Sequence, residues 1–250
     1  MKMHSKISYT LFLTLRCLFL LSPPAFCDQN SLLFHTCSTS QNFTHDSPYA
    51  LNLKQAFYNL ASTTPPSGFA LASIGHDLQS QVDALALCRG DVSPADCAGC
   101  IATAGHEIQQ LCPYGKGGAI WYDFCLLRYS NAKFFGKIDN GARLYMWNVE
   151  EAENAASFNE EVRKLLMGLS EKVEATPNLY AVGEVEMEGS KKVYGLVQCT
   201  RDLSSGACKK CVDDAIAELP KCCDAKIGGR VIGGSCNFRY EVYPFVKDQK

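Results

Sequence analysis

Cysteine is the residue type whose number and spacing point most directly to chemistry. The 250-residue chain contains 14 cysteines, and the spacing C-x8-C-x2-C-x11-C-x12-C occurs twice in it. Zinc ribbons and thioredoxin-like redox sites use a C-x2-C pair, whereas secreted cysteine-rich domains use their cysteines for structural disulfides. A metal site, a redox site and a disulfide framework are therefore the alternatives, and the cellular compartment helps to decide between them.

The N-terminus predicts secretion. A basic segment is followed by an apolar stretch over residues 10–21 and then by small residues, which is typical of a signal peptide. The apolar stretch contains Arg16 and is shorter than the roughly 20 residues that span a membrane, so we expect no stable membrane insertion. Cleavage of a signal peptide over residues 1–27 removes Cys17 and Cys27 and leaves an even number of cysteines, which suits complete pairing outside the cell.

Composition excludes several other classes of protein. With 47% hydrophobic and 20% charged residues the chain has the makings of a folded core, and its net charge of −2 provides no basic surface for nucleic acid. We therefore expect no nucleic-acid partner. In a secreted chain, Asn42 of the sequence Asn42-Phe43-Thr44 is a candidate glycosylation site.

An internal repeat organises the chain. Five cysteines recur with a constant offset of 111 residues: Cys88, Cys97, Cys100, Cys112 and Cys125 match Cys199, Cys208, Cys211, Cys223 and Cys236. We therefore predict two copies of one domain, over residues 28–137 and 138–250. The junction at 138–144 lacks a Pro-rich or Ser-rich linker, so we expect the two copies to pack together.

Each copy is predicted to be an α+β unit. In the first copy, Ser47-Pro48 and Ser93-Pro94 are typical helix starts, and apolar residues follow the first of them at helical spacing. Runs of apolar residues predict strands at 69–74, 82–88 and 120–129. The second copy repeats this order, with helices at 155–173 and 204–219 and strands at 179–185, 193–199 and 237–243.

The predicted elements favour disulfides within the first copy. The strand that ends before the second helix lies within reach of the first turn of that helix, and a cysteine one turn further faces the closing strand. Three pairs follow, with the third left by elimination: Cys88 with Cys97, Cys100 with Cys125, and Cys37 with Cys112. A zinc site would need thiols that escape oxidation, and a redox site would need the two C-x2-C cysteines to pair with each other, so we expect no metal.

The second copy differs in one pair. Four of its cysteines match the two helix-linked pairs of the first copy: Cys199, Cys208, Cys211 and Cys236. No cysteine matches Cys37, and the remaining residues are the neighbours Cys222 and Cys223. These two either form a disulfide between adjacent residues or stay as thiols.

Both C-x8-C-x2-C motifs, the phrase Tyr194-Gly195-Leu196-Val197-Gln198-Cys199 and the segment from Ser235 to Phe245 resemble the plant cysteine-rich repeat secretory proteins, which are built of two ginkbilobin-like, stress-antifungal domains. The resemblance covers essentially the whole mature chain. It implies two helices on a five-stranded antiparallel sheet in each domain, the disulfide pattern given above, and a defence-related protein of the apoplast that needs no cofactor. The same tandem forms ectodomains of receptor-like kinases and plasmodesmal membrane proteins.

The resemblance also implies a sugar site. A single-domain relative binds mannose through an Asn, an Arg and a Glu at fixed distances from its cysteines. The matching residues of the second copy are Asn148, Arg230 and Glu241, whereas the first copy has residues unsuited to the site: Ser38, Ala119 and Ser130. A carboxylate, a guanidinium and an amide together satisfy adjacent sugar hydroxyls, and Trp147 is a candidate to stack on the ring.

Two alternatives stay open for these residues. Arg230 and Glu241 are also expected on neighbouring strands, where they would form a surface salt bridge, and Asn148 would then be a turn residue. The corresponding functional alternative is a module that binds an extracellular partner protein without a sugar site. Catalysis is not expected, because the four histidines of the mature chain occur outside the motifs of known hydrolases and metalloproteases.

Overall fold

The computed structural model describes residues 30–77, 79–139, 141, 143–187 and 191–247. The predicted signal peptide over residues 1–27 lies outside the described residues. No helix among those described has the length and apolarity needed to cross a bilayer.

The first half of the chain folds into one five-stranded antiparallel sheet with two helices. Its strands follow the spatial order β1-β4-β5-β3-β2. The elements in chain order are β1 (Leu32–Cys37), α1 (Pro48–Thr63), β2 (Phe69–Ile74), β3 (Val82–Cys88), α2 (Pro94–Leu111), β4 (Gly117–Tyr122) and β5 (Cys125–Ser130).

The second half has the same topology. Its sheet has the order β6-β9-β10-β8-β7, again antiparallel throughout. The elements are β6 (Leu144–Trp147), α3 (Ala155–Glu174), β7 (Tyr180–Glu186), β8 (Lys192–Cys199), α4 (Ser205–Ile216), the one-turn α5 (Leu219–Cys222), β9 (Gly228–Ile232) and β10 (Cys236–Glu241). The predicted fold class, two tandem α+β domains with five-stranded antiparallel sheets and several disulfides, is confirmed.

Serine caps begin three of the helices. The hydroxyl of Ser93 accepts a hydrogen bond from the backbone N–H of Asp96 at 3.1 Å, and Ser47 and Ser204 cap α1 and α4 in the same way. Proline in the first turn of α1 and α2 suits a position whose N–H has no partner inside the helix.

Two predicted elements were wrong. The segment 120–129, expected to be one strand, contains the end of β4 and most of β5. The two strands are joined by a turn at Asp123 and Phe124, and Trp121 and Leu126 are the paired residues nearest that turn. Both faces of this hairpin are covered, so its strands lack the alternation of apolar and polar residues that would reveal the turn, and Asp123 stands alone between apolar neighbours. The helix expected over 204–219 ends at Ile216, and Pro220 falls in the separate turn α5, where a proline is tolerated near a helix start.

Three hydrophobic clusters hold the molecule together. The helices of each domain cover one face of the domain's own sheet, and aromatic residues such as Phe57 and Phe238 lie in these two cores. The third cluster lies between the domains, on the sheet faces that the helices leave uncovered. Ile232 of the second domain packs there against six residues of the first domain: Leu85, Leu87, Ala119, Trp121, Leu126 and Phe134. The two copies are therefore packed through their sheets.

Polar contacts reinforce the packing of the domains. The indole N–H of Trp121 donates to the Gly233 carbonyl at 3.2 Å, and the Gln198 amide donates to the Cys88 carbonyl at 3.0 Å. The C-terminal segment returns to the first domain, where the backbone N–H of Lys247 donates to Asp91 at 2.7 Å. The Trp121 and Gln198 donors are buried, and they have these partners only while the domains stay together.

Six disulfides are present among the described cysteines. They join Cys37 to Cys112, Cys88 to Cys97, Cys100 to Cys125, Cys199 to Cys208, Cys211 to Cys236, and the neighbours Cys222 and Cys223. In both copies, each cysteine of the C-x2-C pair bonds to a cysteine elsewhere in its domain. This arrangement disfavours a zinc site and a thioredoxin-like site at these positions.

Candidate functional site

The three residues of the predicted sugar site lie on or directly beside three neighbouring strands of the second sheet. Arg230 is in β9, Glu241 ends β10, and Asn148 directly follows β6 on the other side of β9. All three line one open cavity of about 240 Å³. The strand order β6-β9-β10 therefore brings together residues that are up to 93 positions apart in the chain.

Hydrogen bonds hold the backbone and the side-chain oxygen of Asn148 in place. Its N–H donates to the Gly228 carbonyl at 2.9 Å, and its side-chain oxygen accepts the N–H of Glu150 at 3.0 Å. The second bond is an Asx turn, as the alternative interpretation of Asn148 expects. The amide nitrogen has no partner among the residues that the structure describes, so its two hydrogens remain for a ligand.

Arg230 is nearly buried, with 11% of its side chain exposed. Its Nη1 donates to Oδ1 of Asp123 at 2.5 Å, and Asp123 belongs to the β4–β5 turn of the first domain. Burial lowers the pKa of the Arg230 guanidinium, and the attraction of the Asp123 carboxylate opposes that shift. A buried arginine needs such a counter-charge, so this ion pair is what permits Arg230 to lie at the domain boundary.

Glu241 takes its cation from its own strand. Its Oε1 accepts a hydrogen bond from Nε of Arg239 at 3.0 Å, because residues two apart on β10 face the same side of the sheet. Across the ladder Glu241 faces Gly228, where an added Cβ would overlap the carboxylate. Gly228 therefore provides the space in which the carboxylate lies against the backbone of β9.

Arg239 is held on several sides. Besides Glu241, its guanidinium contacts the hydroxyl of Tyr243 at 3.2 Å and stacks 4.3 Å from the centre of the Phe245 ring. Its Nη1 is 3.8 Å from the Asp123 carboxylate. The cavity thus contains two arginines and two carboxylates whose formal charges cancel.

The surface salt bridge between Arg230 and Glu241 does not form. The two side chains take other partners, because Arg230 faces Arg239 across the ladder and Glu241 faces Gly228. The expectation failed because it assigned the two residues to neighbouring strands without the register, and a shift of two positions changes which side chains meet.

An apolar rim borders the cavity. Trp147 and Tyr243 line it and are 53% and 47% exposed, and Met146 beside them is 39% exposed. Exposed aromatic rings beside convergent polar groups are suited to stack on the apolar face of a sugar. The stacking role predicted for Trp147 is compatible with this placement.

The residues at the three matching positions of the first domain lack the amide, guanidinium and carboxylate groups of this cavity. Ala119 lies in the interdomain core, the hydroxyl of Ser38 contacts Ser40 at 3.0 Å, and Ser130 accepts the N–H of Ala132. Asn42, the glycosylation candidate, is exposed and bridges to Gly115.

Two charged residues of the cavity, Asp123 and Arg239, were not predicted from the sequence. The position of Arg239 could have been inferred from the sequence, because it is two residues from Glu241 on a predicted strand and therefore faces the same side of the sheet. The position of Asp123 could not have been inferred in this way, because its contact with Arg230 depends on how the two domains pack.

Fold and cavity together define a tandem of disulfide-bonded α+β domains with a polar cavity on the second domain. The sequence matches the family described as Salt stress response/antifungal twice, over residues 36–132 and 147–243. The chain belongs to this family, and the resemblance seen in its motifs is confirmed.

Relatives and solved structures agree with this membership. The chain is 53% identical over 214 residues to the antimicrobial ginkbilobin-2-like protein of Castanea crenata, covering 86% of this chain and 88% of that protein. It is 50% identical over 221 residues to cysteine-rich repeat secretory protein 38 of Arabidopsis thaliana, covering 87% of each. Its structure is similar to the tandem DUF26 ectodomain of the Arabidopsis thaliana cysteine-rich receptor-like protein PDLP8, with a TM-score of 0.75 and 27% identity over 84% of this chain and 97% of that one.

Proposed function

We propose that this protein is a secreted, non-enzymatic binding protein of the plant apoplast that recognises mannose-type glycans through the cavity of its second domain. The observation that carries the proposal is the convergence of Asn148, Arg230 and Glu241, from two strands and the end of a third, on one open cavity beside an exposed tryptophan. Secretion is supported by the N-terminal sequence and by the name of the secretory relative.

The chemistry of the cavity suits a neutral sugar. The Glu241 carboxylate accepts hydrogen bonds from two hydroxyls, the guanidiniums donate in fixed directions, and the free amide hydrogens of Asn148 donate to a third oxygen. These groups bind hydroxyls but provide no nucleophile beside a general base, so the cavity is suited to recognition. A few hydrogen bonds and one stacked ring correspond to a dissociation constant on the order of millimolar, about −4 kcal/mol.

A role in defence is the physiological part of the proposal. It is supported by the printed name of the Castanea crenata relative, which is called antimicrobial, and by the description of the family as antifungal. Binding of a mannose-containing fungal glycan would link the cavity to that role.

Calorimetric titration of the mature protein with mannose and with mannan tests the proposal. We expect saturable binding by the wild type and its loss in the variants Arg230→Ala and Glu241→Ala. Glu184→Ala is the matched control, because Glu184 is a carboxylate of the same sheet that pairs with Lys192 outside the cavity. Circular dichroism verifies that each variant is folded, and the absence of wild-type binding to either ligand would contradict the proposal.

A second candidate function is the binding of an extracellular partner protein. It is favoured by the similarity to a receptor-like ectodomain and by the exposed apolar residues around the cavity, among them Trp147, Val149 and Tyr243. This candidate predicts that Arg230→Ala and Glu241→Ala leave partner capture intact, whereas replacing Trp147 and Val149 by serine removes it.

A further inference from the structure

Asp123 is the one charged residue among those lining the cavity that comes from the first domain, which also contributes the apolar Leu33. It sits in the turn between β4 and β5, with 22% of its side chain exposed. Its Oδ1 is 2.5 Å from Nη1 of Arg230 and 3.8 Å from Nη1 of Arg239, so one carboxylate oxygen faces both arginines. The second domain alone therefore does not contain the complete set of charged groups that line the cavity.

The charge of the cavity depends on this residue. Arg230 and Arg239 provide two positive charges, and Glu241 provides one negative charge from the same domain. Asp123 supplies the second negative charge and brings the sum to zero. Without it, the cavity would have an unbalanced guanidinium whose Nη1 no longer has an acceptor.

The presence of this negative charge affects which sugars the cavity can bind. A carboxylate bound to an arginine is a strong, geometrically specific pair, so an unbalanced Arg230 would attract a sugar acid. With Asp123 in place, a uronic acid must displace the Asp123 carboxylate from Arg230 or lie beside it, and two carboxylates at one arginine repel each other. A neutral hexose meets neither penalty.

We propose that Asp123 is a specificity-determining residue that the first domain contributes to the cavity of the second, and that it selects neutral sugars against uronic acids. The inference rests on the proposed sugar site and extends it, because it makes the site a product of both domains. It also gives the packing of the two copies a function in recognition.

The variant Asp123→Asn tests the proposal, since it removes the charge and keeps the size of the side chain. Mannose and sodium galacturonate are titrated into the wild-type protein and the variant, with thermal unfolding as a check of folding. We expect the variant to bind galacturonate at least about tenfold more tightly than the wild type, because a charge-assisted arginine–carboxylate bond contributes that much. Combining it with Arg230→Ala should remove the gain.

Two further variants control the experiment. Asp139 forms an ion pair of 3.2 Å with Arg128, which is the first-copy counterpart of Arg239 and lies outside the cavity. Asp139→Asn removes that ion pair and should leave both titrations unchanged. Asp123→Glu keeps the charge and should retain the exclusion of galacturonate. Unaltered galacturonate affinity in a folded Asp123→Asn protein would overturn the proposal.

The outcomes separate this inference from the sugar proposal beneath it. Mannose binding that depends on Glu241, with no response of either ligand to Asp123→Asn, would retain the sugar site and reject the role of Asp123. A gain of galacturonate binding in Asp123→Asn that requires Arg230, without mannose binding by the wild type, would support the role of Asp123 and reject mannose as the ligand.

Discussion

Gly228 shows how one residue shapes the cavity. The carboxylate of Glu241 occupies the space where a side chain at position 228 would begin, so the position of the acceptor depends on the absence of a Cβ. The sequence motif predicts that Glu241 is a site residue, but the importance of the glycine opposite it becomes visible only once the register of β9 and β10 is known.

The variant Gly228→Ala is therefore expected to displace Glu241. We expect at least about a tenfold loss of sugar affinity and a loss of roughly 1–3 kcal/mol in the free energy of unfolding, because the strand must accommodate an overlapping atom. Gly168→Ala is the control, since Gly168 is in α3 with open space around it and alanine there stabilises a helix by about 0.5–1 kcal/mol. Sugar titration and chemical denaturation measure both effects, and unchanged binding in Gly228→Ala would contradict the role of Glu241.

Asp96 gives a residue-scale prediction of pH dependence. The ammonium of Lys247, followed by the hydroxyl of Ser93, lowers the pKa of the Asp96 carboxyl below its usual 3.8. The ion pair between Asp96 and Lys247 attaches the C-terminal segment to α2, and we call it the tether. Its contribution to stability is complete above the usual pKa of the carboxyl and is lost as the pH falls through the lowered pKa of the folded protein.

Hydrogen exchange at the Lys247 amide, compared between the wild type and Asp96→Asn, measures this tether. The wild type should be better protected at neutral pH, and the difference should vanish as the solution is acidified through the lowered pKa. Because both proteins retain Asp91, the acceptor of that amide, the comparison isolates Asp96. Equal protection of the two proteins at neutral pH would contradict the prediction.

At the scale of elements, capping and periodicity predict what local sequence determines. The starts of α1 and α2 follow from Ser-Pro pairs, and strands β2, β3, β7 and β8 lie close to their predicted positions. The edge strands β1 and β6 and the glycine-containing β9 were not predicted from residue patterns, since half-exposed or glycine-rich segments lack clear alternation. The resemblance to the family supplied the five-stranded sheets instead.

The disulfides are also element-scale features, and their contributions should differ. Cys211–Cys236 closes a loop of 25 residues between α4 and β10, whereas Cys222–Cys223 joins adjacent residues. In the chain-entropy account, loss of the first costs about 3.5 kcal/mol of unfolding free energy and loss of the second less than about 1 kcal/mol.

Guanidinium denaturation of two double variants measures this contrast. Cys211→Ala/Cys236→Ala should lose several times more stability than Cys222→Ser/Cys223→Ser, and both keep the other disulfides of the same domain. A larger loss for the adjacent pair would show that it acts as a structural staple, in place of the bond that Cys37 and Cys112 form in the first domain.

At the scale of the whole molecule, the packing of the two copies creates what neither copy contains. The interdomain core places Trp121 and Ile232 together, and the adjacent turn carries Asp123 to Arg230. The repeat and the resemblance predict two domains and three of the cavity residues. The negative charge that Asp123 adds to the cavity depends on interdomain contacts, which leave no periodic pattern in the sequence.

The most direct test of the proposed sugar site is a titration of the mature, isotope-labelled protein with mannose, monitored by the NMR chemical shifts of its backbone amides. NMR suits an affinity on the order of millimolar. We predict saturable shifts confined to residues 146–148, 228–230 and 239–243 and to the turn at Asp123, with no response at the first-domain counterparts Ser38, Ala119 and Ser130. Absence of shifts up to roughly tens of millimolar mannose, or shifts confined to another surface, would contradict the account.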